Sequence, residues 1–270
     1  MFPKTRDVLD LLEKIAPLQL AEPWDNPGLQ TGSFSQEINT IFMALDPTMK
    51  ALLSAAERHA QLLLTHHPLI FTPLSQIDID VYPGNVLVEA AGCGISVISA
   101  HTNLDAAAGG INDIMAELLG LHDVEVLSEI SGSDNTGLGR IGDLPEPANL
   151  LAVIDDVKRI FNTKTLRIAA RGDVYIRRIA VVGGSGGGLV SLAAKKGADL
   201  LITGDISHHH ALEARMLGIV LVDAGHFHTE KTAFKYFAEY LRSMVANLEW
   251  EVKIETDEDE VDPINEGLGK

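Results

Sequence analysis

Cysteine is nearly absent. Cys93 is the only one in 270 residues, which excludes an internal disulfide framework and fits a reducing compartment. Aromatic residues make up 5% of the chain, so a core must rest on aliphatic side chains. No apolar run approaches the ~18 residues needed to cross a bilayer. The first residues, Met-Phe-Pro-Lys-Thr-Arg-Asp, reach charge at once, without the apolar segment of a secretory signal. Basic residues are also scarce, 21 Lys and Arg against 38 Asp and Glu, for a formal charge of −17. Such a surface repels a phosphate backbone and excludes generic nucleic-acid binding. The expected setting is the cytoplasm, with no membrane association.

Apolar residues reach 46%, enough for a sizeable core. Apolar runs of strand length alternate with helix-period segments. Strands are expected at 40–45, 61–65, 95–100, 178–182, 199–203, 219–222 and 250–254. Helices are expected at 47–59, 86–91, 110–119, 189–196, 208–217 and 229–245. Continuous apolar strands between helices imply an α/β fold with mainly parallel sheets flanked by helices. The two halves resemble each other. Ala60-Gln-Leu-Leu-Leu-Thr65 matches Ala198-Asp-Leu-Leu-Ile-Thr203, and Gly94 to Ala100 matches Gly218 to Ala224. An insertion rich in Pro and Asp in the first half reconciles the spacings, so the expectation is two similar α/β domains made by internal duplication. The first spans 1–125, a linking region 126–174, the second domain 175–254, and an acidic tail 255–270. The tail holds seven acidic residues and one lysine and reads as a solvated, mobile end.

Eight of the ten histidines fall in four short segments: His66 and His67, His101, His208 to His210, and His226 with His228. Each follows a strand candidate or, for the triplet, opens a helix, which is where ligands of parallel sheets bind. Neutral imidazole is the commonest metal ligand. His101 and Asp105 are four apart, as are His226 and Glu230, and this spacing shares one helix face. His66 and His67 cannot share a strand face, but the turn into Pro68 can aim both inward. Five candidates exceed the three protein ligands usual for one catalytic zinc. Two divalent ions are therefore expected on His66, His67, Asp105, His226 and Glu230, with Asp105 or Glu230 as the bridging carboxylate. Zn, Fe, Mn and Co all suit these donors. Within the triplet, successive residues point ~100° apart, so at most one faces a site.

The loop Val182-Gly-Gly-Ser-Gly-Gly-Gly-Leu189 lacks the lysine of a P-loop. It satisfies G-x-S-x-G around Ser185, and Asp205 or Asp223 and then His226 follow in the order of an α/β-hydrolase. That rival leaves His66, His67 and Asp105 unexplained. A tight turn that allows close packing is the plainer reading.

The motifs Thr65-His-His-Pro-Leu69, Ala100-His-Thr-Asn-Leu-Asp105, Thr203-Gly-Asp205 with His209, and Gly225-His226 with Thr229-Glu230 resemble the NGG-interacting-factor-three family. Its members are often labelled GTP cyclohydrolase I type two homologues. Trp24-Asp-Asn-Pro-Gly-Leu-Gln30 and the glycine loop also match, and the resemblance runs from about residue 5 to 250. It implies two interlocked α/β domains, a toroidal homohexamer and a dinuclear site facing the central cavity. The implied ligands are again His66, His67, Asp105, His226 and Glu230, with His101 and His209 as proton-transfer or supporting groups. The implied activity is metal-dependent hydrolysis of a nucleotide or related small phosphorylated substrate. The alternative is a non-catalytic metal-binding protein in regulation or assembly.

Overall fold

A computed structural model of the chain describes residues 1–130 and 135–264. It divides into two units, each built from two stretches of chain: residues 1–104 with 234–261, and residues 105–233 with a short C-terminal segment from Asp262.

The first unit contains α1 (Thr5–Ile15), β1 (Gly28–Thr31), β2 (Thr40–Ala44), α2 (Met49–Glu57), β3 (Leu62–Thr65), α3 (Gly84–Cys93) and β4 (Ser96–Ser99). A late strand, β11 (Lys253–Thr256), completes its five-stranded sheet, in the order β1-β4-β3-β2-β11. All pairs are parallel except β1 with β4. Every residue of β3 and β4 is buried, which is why they read as unbroken apolar runs. Ala51, Leu52 and Ala55 of α2 pack with Val86, Leu87 and Ala90 of α3 against Phe42, Leu63 and Val97 of the sheet.

The second unit contains α5 (Ile111–Leu118), β5 (His122–Glu129), β6 (Gly137–Asn149), α6 (Leu150–Ile160), β7 (Arg167–Ala169), β8 (Tyr175–Ser185), α7 (Val190–Lys195), β9 (Leu200–Gly204), α8 (His208–Leu217) and β10 (Val220–Asp223). Its sheet runs β5-β6-β8-β9-β10-β7. Only β8, β9 and β10 are mutually parallel, and the other three pairings are antiparallel. The expectation of mainly parallel sheets therefore holds for the first unit and fails at the edges of the second. Two helices, α4 (Thr102–Ala106) and α9 (His226–Asn247), carry the chain across the unit boundaries.

Both units share one plan: three parallel strands in chain order, helices between them, and an antiparallel strand beside the third. Thr65 pairs with Ser99 in one, and Thr203 with Asp223 in the other. Ala55, Ala60, Leu63, Ala90, Ile95 and Val97 of the first core have counterparts in Ala193, Ala198, Leu201, Ala214, Ile219 and Leu221 of the second. Helices α3 and α8 both end at a left-handed residue, Gly94 (φ 66°) and Gly218 (φ 80°). Glycine takes that conformation without the penalty a Cβ brings.

The stretch 126–174, expected as a linker, supplies half of β5 and all of β6, α6 and β7. Its irregular look comes from β5, whose first four residues are exposed, and from Pro145 and Pro147 within β6. The acidic tail is also more ordered than its composition suggests, although residues 265–270 lie outside the described residues. Asp257 N donates to Met43 O at 2.8 Å, continuing the ladder of β11 beyond its end. The Glu260 carboxylate accepts from Leu45 N at 2.8 Å and Asp46 N at 3.0 Å, just past β2. Among the described residues, no helix is long and apolar enough to cross a membrane. Hydrogen bonds to a charged acceptor contribute about 1.5–3 kcal/mol. Glu260→Ala is therefore expected to lower unfolding stability in urea by about that amount, and an unchanged midpoint would show that the tail only rests on β2.

Candidate metal centre

In the first unit the β3 ladder continues past its last residue: His66 N donates to Ala44 O at 3.3 Å and His67 N to Leu45 O at 3.0 Å. This brings both imidazoles to the carboxyl edge of the sheet, where β4 delivers His101. His66 is fully buried and His101 nearly so. A donor atom from each of His66, His67 and His101 lies within 4.8 Å of the other two. Every one of these rings has its Nδ1 engaged. His66 Nδ1 is 2.8 Å from Ala100 O, His67 Nδ1 is 2.7 Å from Asp46 Oδ1, and His101 Nδ1 is 2.7 Å from Asp25 Oδ1. The acceptors assign Nδ1 as the protonated nitrogen and leave Nε2 with its lone pair, the arrangement that orients histidines toward metals.

Asp25 also receives Thr102 N at 3.0 Å and the Thr102 hydroxyl. Burial pushes its carboxyl pKa up. The hydrogen bonds from His101 and Thr102, with the nearby His101 charge, outweigh burial and hold it at about 2, below the ordinary 3.8.

In the second unit Asp105, on α4, and Glu230, in the second turn of α9, are both buried, and their carboxylate oxygens lie within 4.8 Å of each other. His226 opens α9. Its Nδ1 is 2.7 Å from Asp205 Oδ2 and its Nε2 is 3.0 Å from Glu230 Oε2. Two ligands bonded at ~2.0–2.1 Å to one ion stand about 3 Å apart, so the Nε2–Oε2 spacing fits a shared cation. Like charges ~4.8 Å apart repel by on the order of 3 kcal/mol at an effective dielectric of ~20. A buried carboxylate pair is thus a natural seat for a divalent ion. The donor set, imidazoles and carboxylates, suits Zn, Fe, Mn or Co.

The glycine loop forms a wall of this second group. A Cβ on Gly184, which has φ 62°, would lie 2.1 Å from Glu230 Oε1 and 3.2 Å from His226 Nε2. The N–H groups of Gly183, Gly184 and Gly186 donate to Asn112 Oδ1, Thr229 Oγ1 and Thr203 Oγ1, so they are not directed at a bound anion. Asn112 also donates to Asp105 O at 2.9 Å, tying the loop to the ligand segment. The close-packing reading of the loop fits this geometry.

Ser185 lacks the arrangement of a hydrolase nucleophile, because both ring nitrogens of His226 face carboxylates and Asp223 pairs with Arg167. In the triplet, His209 is exposed, with its ring edge-on to His208. It is His210 that turns to the glycine loop, and it also closes the α8 capping box with Ser207. None of the three joins a donor group among the described residues. His101, by contrast, stands with His66 and His67. The sequence reading missed Asp46, and it placed Asp25 only in a motif and Asp205 only in a motif and a rival triad. Asp46 has a legible signal, since it follows β2 at the same strand end that carries the histidines after β3.

The profile of the DUF34/NIF3 (NGG1p interacting factor 3) family matches residues 3–263. This chain belongs to that family. A DUF34/NIF3 relative from Clostridium perfringens, named GTP cyclohydrolase 1 type 2 homolog, is 37% identical over 84% of this chain and 87% of its own length. A Helicobacter pylori protein named GTP cyclohydrolase 1 type 2 is 35% identical over 88% of this chain and 91% of its own. The crystal structure of a Bacillus cereus protein related to NIF3 superposes with a TM-score of 0.91 at 26% identity, covering 98% of this chain and 99% of that one.

Two outcomes follow from the DUF34/NIF3 site. Gly184→Ala forces Glu230 to move and places a Cβ at positive φ; a loss of about 1–2 kcal/mol in thermal stability is expected. Gly188→Ala, with nothing within 4 Å of its Cβ, is the control and should change little. Because the Asp25 pKa is depressed, its stabilising effect is complete above the ordinary value and is lost as pH falls through about 2. The stability gap between wild type and Asp25→Asn, followed by urea unfolding of metal-free protein, should be on the order of 2 kcal/mol above pH 5. It should shrink steadily toward pH 2; a gap independent of pH would contradict the shift.

Proposed function

We propose that this protein is a metal-dependent hydrolase in which His66, His67, Asp105, His226 and Glu230 hold two divalent cations. The observation that carries the reading is the buried Asp105 and Glu230 pair beside His226, whose Nδ1 is held by Asp205. The three histidines of the first unit, each held at Nδ1, support it independently. Two bound cations would supply Lewis acidity and ease the deprotonation of water. His101 accepts a proton at Nε2, and Asp25 stabilises the imidazolium so formed through Nδ1, while its low pKa keeps it from taking that proton. His66, buried in the β3–β4 edge, and Glu230, walled by Gly184, keep their donor atoms out of bulk water. The substrate class is a nucleotide or related small phosphorylated compound, in line with the names of the Clostridium and Helicobacter relatives. The working assembly is a homohexamer.

Elemental analysis of wild type, Asp105→Ala and Glu230→Ala tests the ligand set. About two ions per chain are expected in wild type and fewer than one in either variant, with far-UV circular dichroism unchanged. Retention of both ions in a variant would remove that residue from the set. A wild type that takes up no metal from Zn, Mn or Fe would overturn the reading. Full metal with no turnover of nucleotides or phosphoesters, and an oligomer that dissociates on chelation, would instead establish a metal-dependent assembly protein.

A further inference from the structure

Aromatic side chains are scarce here, and Phe42, Phe161 and Phe237 are fully buried. Trp24 and Phe71 are not: they are 55% and 54% exposed, and they stand together beside His101. Their ring centroids are 5.6 Å apart with the planes tilted by 42°. Each also meets the His101 ring edge-on, Trp24 at 5.9 Å and Phe71 at 6.4 Å. Such exposure leaves roughly 100 Å2 of each ring wet.

The pair is held in place from behind. Asn26 Nδ2 donates to Ile70 O at 2.7 Å, Ile70 N donates to Gln30 Oε1 at 2.9 Å, and Gln30 Nε2 donates to Asn26 O at 2.7 Å. These bonds pin the loop of Trp24 to the loop of Phe71. The next residue after Trp24 is Asp25, fixed on His101 and Thr102. The indole N–H of Trp24 makes no hydrogen bond among the described residues, so it is free to donate to a ligand. The two rings already touch, so a third ring fits on their solvent-facing sides and not between them.

We propose that Trp24 and Phe71 form a stacking subsite for a planar heteroaromatic ring of the nucleobase kind, which sets the reacting end of the substrate against His101. The subsite rests on the hydrolase reading for its purpose, but its ring binding does not require the cations. Preorganised aromatic faces bind rings with little entropic loss, and stacking on them tolerates many ring types.

Trp250→Phe leaves Trp24 as the sole tryptophan, so its emission reports the subsite directly. Guanosine should quench that emission saturably, while ribose 5-phosphate and inorganic triphosphate leave it unchanged. Phe71→Ala in the same background should weaken guanosine binding roughly tenfold or more. The quenching should persist in Asp105→Ala protein depleted of metal. It therefore separates the two readings: lost metal with retained quenching upholds the subsite alone. No saturable quenching by guanosine, or equal quenching by ribose 5-phosphate, overturns the proposal. Emission that tracks protein concentration and ignores guanosine also overturns it, and marks Trp24 as a contact between copies of the chain.

Discussion

A histidine can hold a cation only through a nitrogen lone pair, and the group touching one nitrogen decides which lone pair the other presents. In this chain four imidazoles, those of His66, His67, His101 and His226, have their Nδ1 within 2.8 Å of an oxygen acceptor. One acceptor is a backbone carbonyl and three are aspartates. The rest of the site follows from this. With Nδ1 held, each ring has a fixed orientation and a fixed tautomer, and the strand ends need only deliver the backbone. Without the aspartates His67, His101 and His226 would lose the acceptors that fix their Nδ1.

The sheet centres were legible because burial on both faces leaves no polar position to interrupt the run. β3, β4, β9 and β10 show this, and their residues at the carboxyl ends could be singled out for the same reason. The match of Ala60–Thr65 with Ala198–Thr203 was legible for a related cause. Both alanines are buried in the core of their unit, and both threonines close the ladder onto the next strand. The edges were not legible. β5 exposes its first four residues, and β6 carries two prolines, which argue against a strand in the middle of a sheet. α1 buries Val8, Leu11 and Leu12 at ordinary helical spacing, a signal that a strand-led reading passes over.

The outer aspartates were the hardest part. Asp25 lies 76 residues from His101, and Asp46 and Asp205 each lie 21 from their histidines. No local periodicity links residues that far apart; only the fold brings them together. The glycine loop was ambiguous for the opposite reason. Its composition suits an anion cradle, a nucleophile turn or a close approach, and the choice depends on what stands opposite it. Opposite it stand Glu230, His226 and His210, and side-chain oxygens occupy three of its N–H groups. A loop that looks like a phosphate binder is here a surface kept bare so that a carboxylate can stay buried.

The division of the chain has a consequence for synthesis. Residues 105–233 of the second unit form one unbroken stretch and leave the ribosome in a single pass. The first unit begins earlier but waits longer, since β2 stays an open sheet edge until β11 arrives at 253–256. Glu260, which closes the backbone past β2, comes later still. Translation therefore delivers the long stretch of the second unit whole before β11 can close the sheet of the first, although the first begins earlier.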